Sequence, residues 1–319
     1  MKQKRFLLLL LLEACCAIAL YLFQFSQYQL MTTLLAFPWE PLGIGLRTLS
    51  LSGSAGNIAA WILYMIVCLL PAGLLLPLRK HRLYPEDLIL ALITVCLFFV
   101  LYWMINPALL PFMAGGETVG KAICGGTILS LLLAWVVLRI MRRFASAEKE
   151  QLHRDLYRLL CCVCFFFVFV IFGVNFGALL DSIQALHAGN HVNGKPAAGL
   201  EATYIFLALQ YVFDSLPYVL DLILCFTGMS LLRHIQEQTD QLPALIARFR
   251  LFCMYGLAAT VLTTAVFNML QLAFASKLHV INGQLQIPVL SVLFVLAALL
   301  LTGYMQENKQ LKDDNDLFI

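Results

Sequence analysis

Eight runs of about twenty mostly apolar residues, parted by short polar connections, leave this chain very few folds. A helix rising ~1.5 Å per residue needs about 20 apolar residues to cross a ~30 Å hydrocarbon core. The runs that qualify are residues 6–23, 57–78, 88–105, 122–140, 159–180, 203–230, 251–274 and 287–305. Lipid offers the backbone no hydrogen-bond partners, so each run is expected to be helical. The apolar stretch 31–37 is too short to span and is expected at the interface. Composition agrees, with 61% apolar and 12% charged residues, where soluble domains run nearer half and a quarter. The expected fold class is an all-α integral membrane protein with eight transmembrane helices, embedded in a lipid bilayer.

Orientation follows from Lys and Arg in alternate connections. With the amino terminus inside, 17 of the 21 basic residues fall on the inner side. The outer four are Arg47, Lys121, Lys195 and Lys277. A missed or surplus helix would scramble this alternation, so the count supports the number eight. Trp39, Trp61 and Trp103 all fall at the expected outer boundary, as an aromatic belt would. The expected location is a plasma membrane (the bacterial inner membrane), with both termini cytoplasmic.

The start of the chain also resembles a secretory signal, since Lys2–Arg5 precede a leucine run. Leu12-Glu13-Ala14-Cys15 approximates a lipoprotein cleavage site. Glu13 fits such a site poorly, and the apolar run continues to Phe23. An uncleaved first helix is expected.

Helices one to four and five to eight share a layout. Each half begins inside and has a long first external connection, residues 24–56 and 181–202. A cytoplasmic connection with a proline (Pro85, Pro243), a second external connection and a charged cytoplasmic end follow. The expected division is a four-helix unit over residues 1–145, a charged linker over 146–158, a second four-helix unit over 159–305 and an acidic tail over 306–319. Pro71 and Pro217 sit in the second helix of each half. Two halves of equal helix number and like orientation would form a parallel repeat.

The tail Glu307-Asn308-Lys309-Gln310-Leu311-Lys312-Asp313-Asp314-Asn315-Asp316-Leu317-Phe318-Ile319 resembles the end of a bacterial membrane-protein family, domain of unknown function 2975. Its members are four-helix proteins with an acidic segment ending in Asp-Leu-Thr-Ile; here Phe318 stands in place of the Thr. The resemblance covers the chain from about Arg154. It implies no established activity. Members are often encoded beside a small helix-turn-helix regulator, which implies such a regulator as a partner.

Other motifs point away from catalysis. Gly115-x4-Gly120-Lys121 lacks the Ser or Thr that a phosphate-binding loop needs next, having Ala122. Its glycines are expected to turn the chain into the fourth helix, with Gly125 and Gly126 allowing close packing. His187 and His191 have the i, i+4 spacing of helical metal ligands, but Gly189 and Asn190 argue for a turn, and no third ligand stands near. The ten cysteines all lie in apolar runs and read as small apolar fillers. Net charge is +3, and no basic stretch is interleaved with aromatics, so direct nucleic-acid binding is not expected. No catalytic set, metal site or cofactor site is expected.

The residues that stand out are acids at membrane depth. Asp214 and Asp221 lie seven apart on the sixth helix, hence on one face and ~10.5 Å apart along it. Gln210 and Pro217 fall on the same stripe. Each embedded Asp costs ~2.5–3.5 kcal/mol on the insertion scale. Glu13 is a third embedded acid, and Asn268 and Gln271 on the seventh helix could hydrogen-bond the others. No Lys or Arg in the sequence stands at comparable depth. The acids are therefore expected to be protonated, to face water, to hold a cation or to meet a basic group of another subunit. If residues 203–213 instead lay along the interface, Pro217 would begin the span and only Asp221 would be deep. Two functions compete: a non-catalytic scaffold or sensor working with a cytoplasmic or membrane partner, and a secondary transporter, or its membrane subunit, coupled through these acids.

Overall fold

The computed structural model describes residues 3–23, 26–79, 84–109, 116–146, 149–193, 200–237 and 242–278, together with 292, 293 and 296. Helix is the regular structure throughout the described residues. Among the described residues, seven helical stretches are long and apolar enough to cross a membrane, so the protein is an integral, multi-pass membrane protein. The eighth expected span, residues 287–305, lies almost wholly outside the described residues, as does the tail.

The chain divides into two compact units, residues 28–148 and residues 1–27 together with 149–319. The first helix belongs to the same unit as the later helices, although it precedes the smaller unit in the chain.

The smaller unit contains α2 (Gln27–Ala36), α3 (Trp39–Leu51), α4 (Ser54–Arg79), α5 (Leu88–Ile105) and α6 (Glu117–Ser146). The span expected over residues 88–105 coincides with α5, whose core-facing Leu90, Ile93, Leu97, Leu101 and Met104 are almost fully buried. These residues recur at three and four, as a helix needs to present one face. They pack with Cys68 of α4 and with Cys124 and Ile128 of α6. Residues 24–56, expected as one long external connection, instead hold α2 and α3. They are only 10 and 13 residues long, so neither produces the twenty-residue apolar run that marks a span.

Gly116 takes a positive φ of 88° just before α6 and turns the chain into it. A Cβ on Gly125 would meet the Leu35 carbonyl oxygen, so glycine lets α6 approach the α2 backbone. A Cβ on Gly126 would make only ordinary contact, 3.7 Å from Leu35 Cδ2.

Lys121 and Arg47 are tied to this unit's own elements. Lys121 Nζ pairs with Glu40 of α3 at 2.8 Å and with Glu117 at 2.7 Å. Arg47 donates to the Ile105 carbonyl at the end of α5 at 2.9 Å. At the other end, Pro85–Asp87 form a single 3-10 turn before α5, and both its acids are buried.

The larger unit contains α1 (Gln3–Leu22), α7 (Lys149–Phe169), α8 (Phe176–Asn193), α9 (Glu201–Glu237) and α10 (Leu242–Ala273). A π-helical turn, Val170–Asn175, joins α7 and α8 into one continuous rod. The turn expected at Gly189 and Asn190 is not there: α8 continues through them, and the His187 ring packs on Tyr204 with centroids 5.7 Å apart. Gly and Asn are weak helix formers, and the preceding helix carries on through them. α1, α7 and α9 bury Phe6, Leu10, Cys164, Phe167, Cys225 and Met229 in one cluster. Between α9 and α10 a second cluster forms from Leu224, Leu231, Ile246, Phe249 and Cys253. Cys68, Cys124, Cys164, Cys225 and Cys253 are buried, while Cys15, Cys16 and Cys162 are exposed.

Candidate functional site

The acids singled out in the sequence belong to α9, and their surroundings follow from two helix registers. Phe206 stacks on Phe274 and Phe213 on Phe267, with centroids 5.5 and 5.2 Å apart. Seven residues forward on α9 thus match seven back on α10, so the two run antiparallel. Carried along, that register sets Gln210 level with Leu270, beside Gln271. Asp214 comes level with Val266, between Thr264 and Asn268, and Asp221 level with Ala259, beside Thr260.

The other neighbour of α9 is the α7–α8 rod, also antiparallel. Cys161 meets Met229, Phe167 packs on Tyr218, and Phe176 on Tyr211. Successive residues turn ~100° about a helix axis. Measured from Phe213, the α10-facing residues Phe206 and Leu224 lie within about 20°, and Cys225 and Tyr218, which face α7, at about 120–140°. Thr203, Gln210, Asp214 and Asp221 fall between, at about 60–100°. The polar residues therefore line the seam between the two packed faces.

Burial agrees with that placing. Thr203 and Asp221 on α9, and Thr260 and Gln271 on α10, are all at most 5% exposed. Asp214, Gln210 and Asn268 are half-buried. Asp221 lies within electrostatic reach of Tyr218, Cys225 and Cys253. Thr260, Thr263 and Thr264 return their hydroxyls to carbonyls of their own helix at 2.7–3.0 Å, which lets them sit in an apolar span.

α9 runs through Pro217 as one helix from Glu201 to Glu237. Residues 203–213 are thus continuous with the rest of the span. Asp214 lies 13 residues from the start of the apolar stretch Glu201–Ile235 and Asp221 14 from its end, about 20 Å from either. Pro217 has no N–H, so the Phe213 carbonyl loses its usual helical donor in the same stretch.

Two polar contributors escaped the reading of the sequence. Asn175, in the π-turn, donates to Ser215 Oγ at 3.2 Å, and Ser215 is buried. The Tyr21 hydroxyl of α1 donates to the Gly173 carbonyl in the same turn. An Asn inside an apolar run and flanked by Gly173 and Gly177 was the available signal, since π-turns gather at functional positions. Glu13 lies on α1 and not on the α9 seam, with its Oε2 buried and accepting no hydrogen bond among the described residues.

Among the described residues, no group of three or more His, Cys, Asp or Glu is arranged to hold a metal ion. No protein family, curated protein or solved structure matches this chain.

Proposed function

We propose that the polar seam of α9, between its faces packed on α10 and on the α7–α8 rod, is a membrane-embedded site for a proton or a small cation. On this reading the protein is a secondary transporter or the membrane subunit of one. The observation that carries it is the placing of Asp214 and Asp221 on one stripe at the middle of α9, walled by packed helices on both sides. An intramembrane carboxylate is costly unless it is protonated, hydrated or charge-matched, and such acids mark ion and proton routes. Thr260 and Asn268 supply neutral oxygens near the levels of Asp221 and Asp214, with Gln271 about a turn beyond, the ligand chemistry that a proton relay or an alkali cation uses.

The test is flux through the purified full chain in proteoliposomes, read with an internal pH-sensitive or sodium-sensitive dye. Wild-type protein should dissipate an imposed proton or sodium gradient, and D214N and D221N should each cut the rate at least tenfold. A wild-type protein as tight as empty liposomes, or variants that conduct like wild type, would remove these residues from any such role.

A second reading rests on a separate observation, the tail over residues 307–319. As a scaffold or sensor, the protein would pass a signal to a small helix-turn-helix regulator or a second membrane subunit. The positive-inside count supports both termini on the cytoplasmic side, where such a partner would meet the tail. Full-length protein should capture the partner from its own cells, and protein ending at Asn308 should not. Equal capture by both would argue against the tail.

A further inference from the structure

At the start of the α7–α8 rod, beside the end of α9, a cavity of about 610 Å³ opens between the two helices. Its rim is basic. Arg154 and Arg158 stand one turn apart on α7 with His153 next to them, and Arg233 comes from α9. Asp155 pairs with Arg158 at 3.5 Å and offsets one of the three guanidinium charges. The floor is apolar. It is made by Cys161 and Cys162 of α7 and by Met229 and Leu232 of α9.

The antiparallel register sets Tyr157 level with Arg233 and Cys161 level with Met229, whose sulfurs are 3.8 Å apart. Rim and floor are therefore one turn apart, about 6 Å along the helices. The cavity grades from cationic to apolar in the direction that leads into the membrane-spanning part of both helices.

We propose that this cavity binds the phosphate of an anionic phospholipid. The guanidiniums offer paired N–H donors to the phosphate oxygens, a match that Arg makes better than Lys. The glycerol and the first acyl carbons then lie on Cys162, Met229 and Leu232. The volume falls in the range of small-molecule sites, and basic pockets between membrane helices on the cytoplasmic side are where anionic headgroups bind. Inorganic phosphate shares the rim chemistry but has nothing to place on the apolar floor, so the lipid is the better occupant.

Cys162 is exposed and lines the cavity, which makes it a reporter. The experiment measures its rate of alkylation by a maleimide, peptide by peptide, in the full chain in neutral detergent. Phosphatidylglycerol should slow Cys162 at least fivefold while leaving Cys15 unchanged. Phosphatidylcholine and inorganic phosphate at the same concentration should not. The triple variant R154Q/R158Q/R233Q should lose the protection at unchanged helix content. Should the triple variant fail to fold, R233Q alone should raise the half-protecting concentration at least threefold. Protection by phosphatidylcholine or by phosphate alone, or protection surviving in the variants, would overturn the proposal. So would lipid-free protection that vanishes when residues 307–319 are removed, because the acidic tail would then be the occupant.

Discussion

Arg142 of α6 lies over the Tyr84 ring, 3.4 Å from its centroid, and pairs with the buried Glu86. One turn earlier Arg139 reaches Asp87 at 3.2 Å while resting on Trp135, whose Nε1–H also donates to Asp87 at 3.4 Å. Two acids at the start of α5 are thus held by two arginines at the end of α6. Asp87 also accepts from the Tyr84 N–H at 3.1 Å.

Removing one side of this arrangement leaves charge behind. D87A should lower the stability of the smaller unit by about 1–3 kcal/mol, reduced from the fully buried case because Arg139 is partly in solvent. R139Q should cost at least as much, because the charge it leaves behind is the buried Asp87 carboxylate. Thermal unfolding in detergent would compare them, and equal midpoints for D87A and wild type would show that the cluster contributes nothing.

The two glycines at 125 and 126 should behave differently although they are neighbours. G125A puts a Cβ against the Leu35 carbonyl oxygen and should force α2 off α6, with a loss of about 1–3 kcal/mol as other overpacked sites show. G126A should be neutral or slightly stabilising, because alanine favours helix by up to about 1 kcal/mol over glycine. The same unfolding measurement separates them, and a reversed order would mean that the α2–α6 approach is wrong.

The α9–α10 register can be checked by cross-linking. On a background without the native cysteines, F213C/F267C should form a disulfide under mild oxidation. F213C/F274C, displaced by seven residues or ~10.5 Å along the axis, should not. Efficient oxidation of the displaced pair alone would shift Asp214 and Asp221 away from Asn268 and Thr260.

Tyr21 offers a test of the π-turn. Y21F keeps the ring against Phe176 and removes the donor to the Gly173 carbonyl, so it should cost about 0.5–1.5 kcal/mol. G177A, whose Cβ would strike the Tyr21 ring, should cost more. If Y21F unfolds at the same temperature as wild type, the hydroxyl is not holding α1 to the turn.

Hydropathy makes some of this molecule plain and hides the rest. α5 can be read to the residue because every position from Leu88 to Ile105 suits a span and Pro85 and Asn106 bracket it. α2 and α3 cannot: α2 is only ten residues long, and Glu40 and Arg47 break up the apolar run of α3, both held by partners far along the chain. The stripe carrying Asp214 and Asp221 is visible from spacing alone, as is the presence of Asn268 and Gln271 on the next helix. Which face of α9 meets α10 is not, since that depends on aromatic pairs between segments some sixty residues apart. Glu86 and Asp87 pass as ordinary loop acids until the helix carrying Arg139 and Arg142 is seen to run antiparallel beside them. Arg154, Arg158 and Arg233 likewise enter the sequence argument only as counts for orientation.

The π-turn at Val170–Asn175 works as a phase shift in the winding of the rod. Its one surplus residue offsets everything after it by about 100° relative to an unbroken α-helix. The two ends of the rod therefore present faces that a regular helix would never show on the same side. Deleting a single residue there, for instance Val174, would give up that offset as the turn returns to regular α-helix, and Phe176, Asp181 and His187 would keep the faces they present now. The same deletion in the middle of α5, which has no such offset to give up, would instead break its packed face in two.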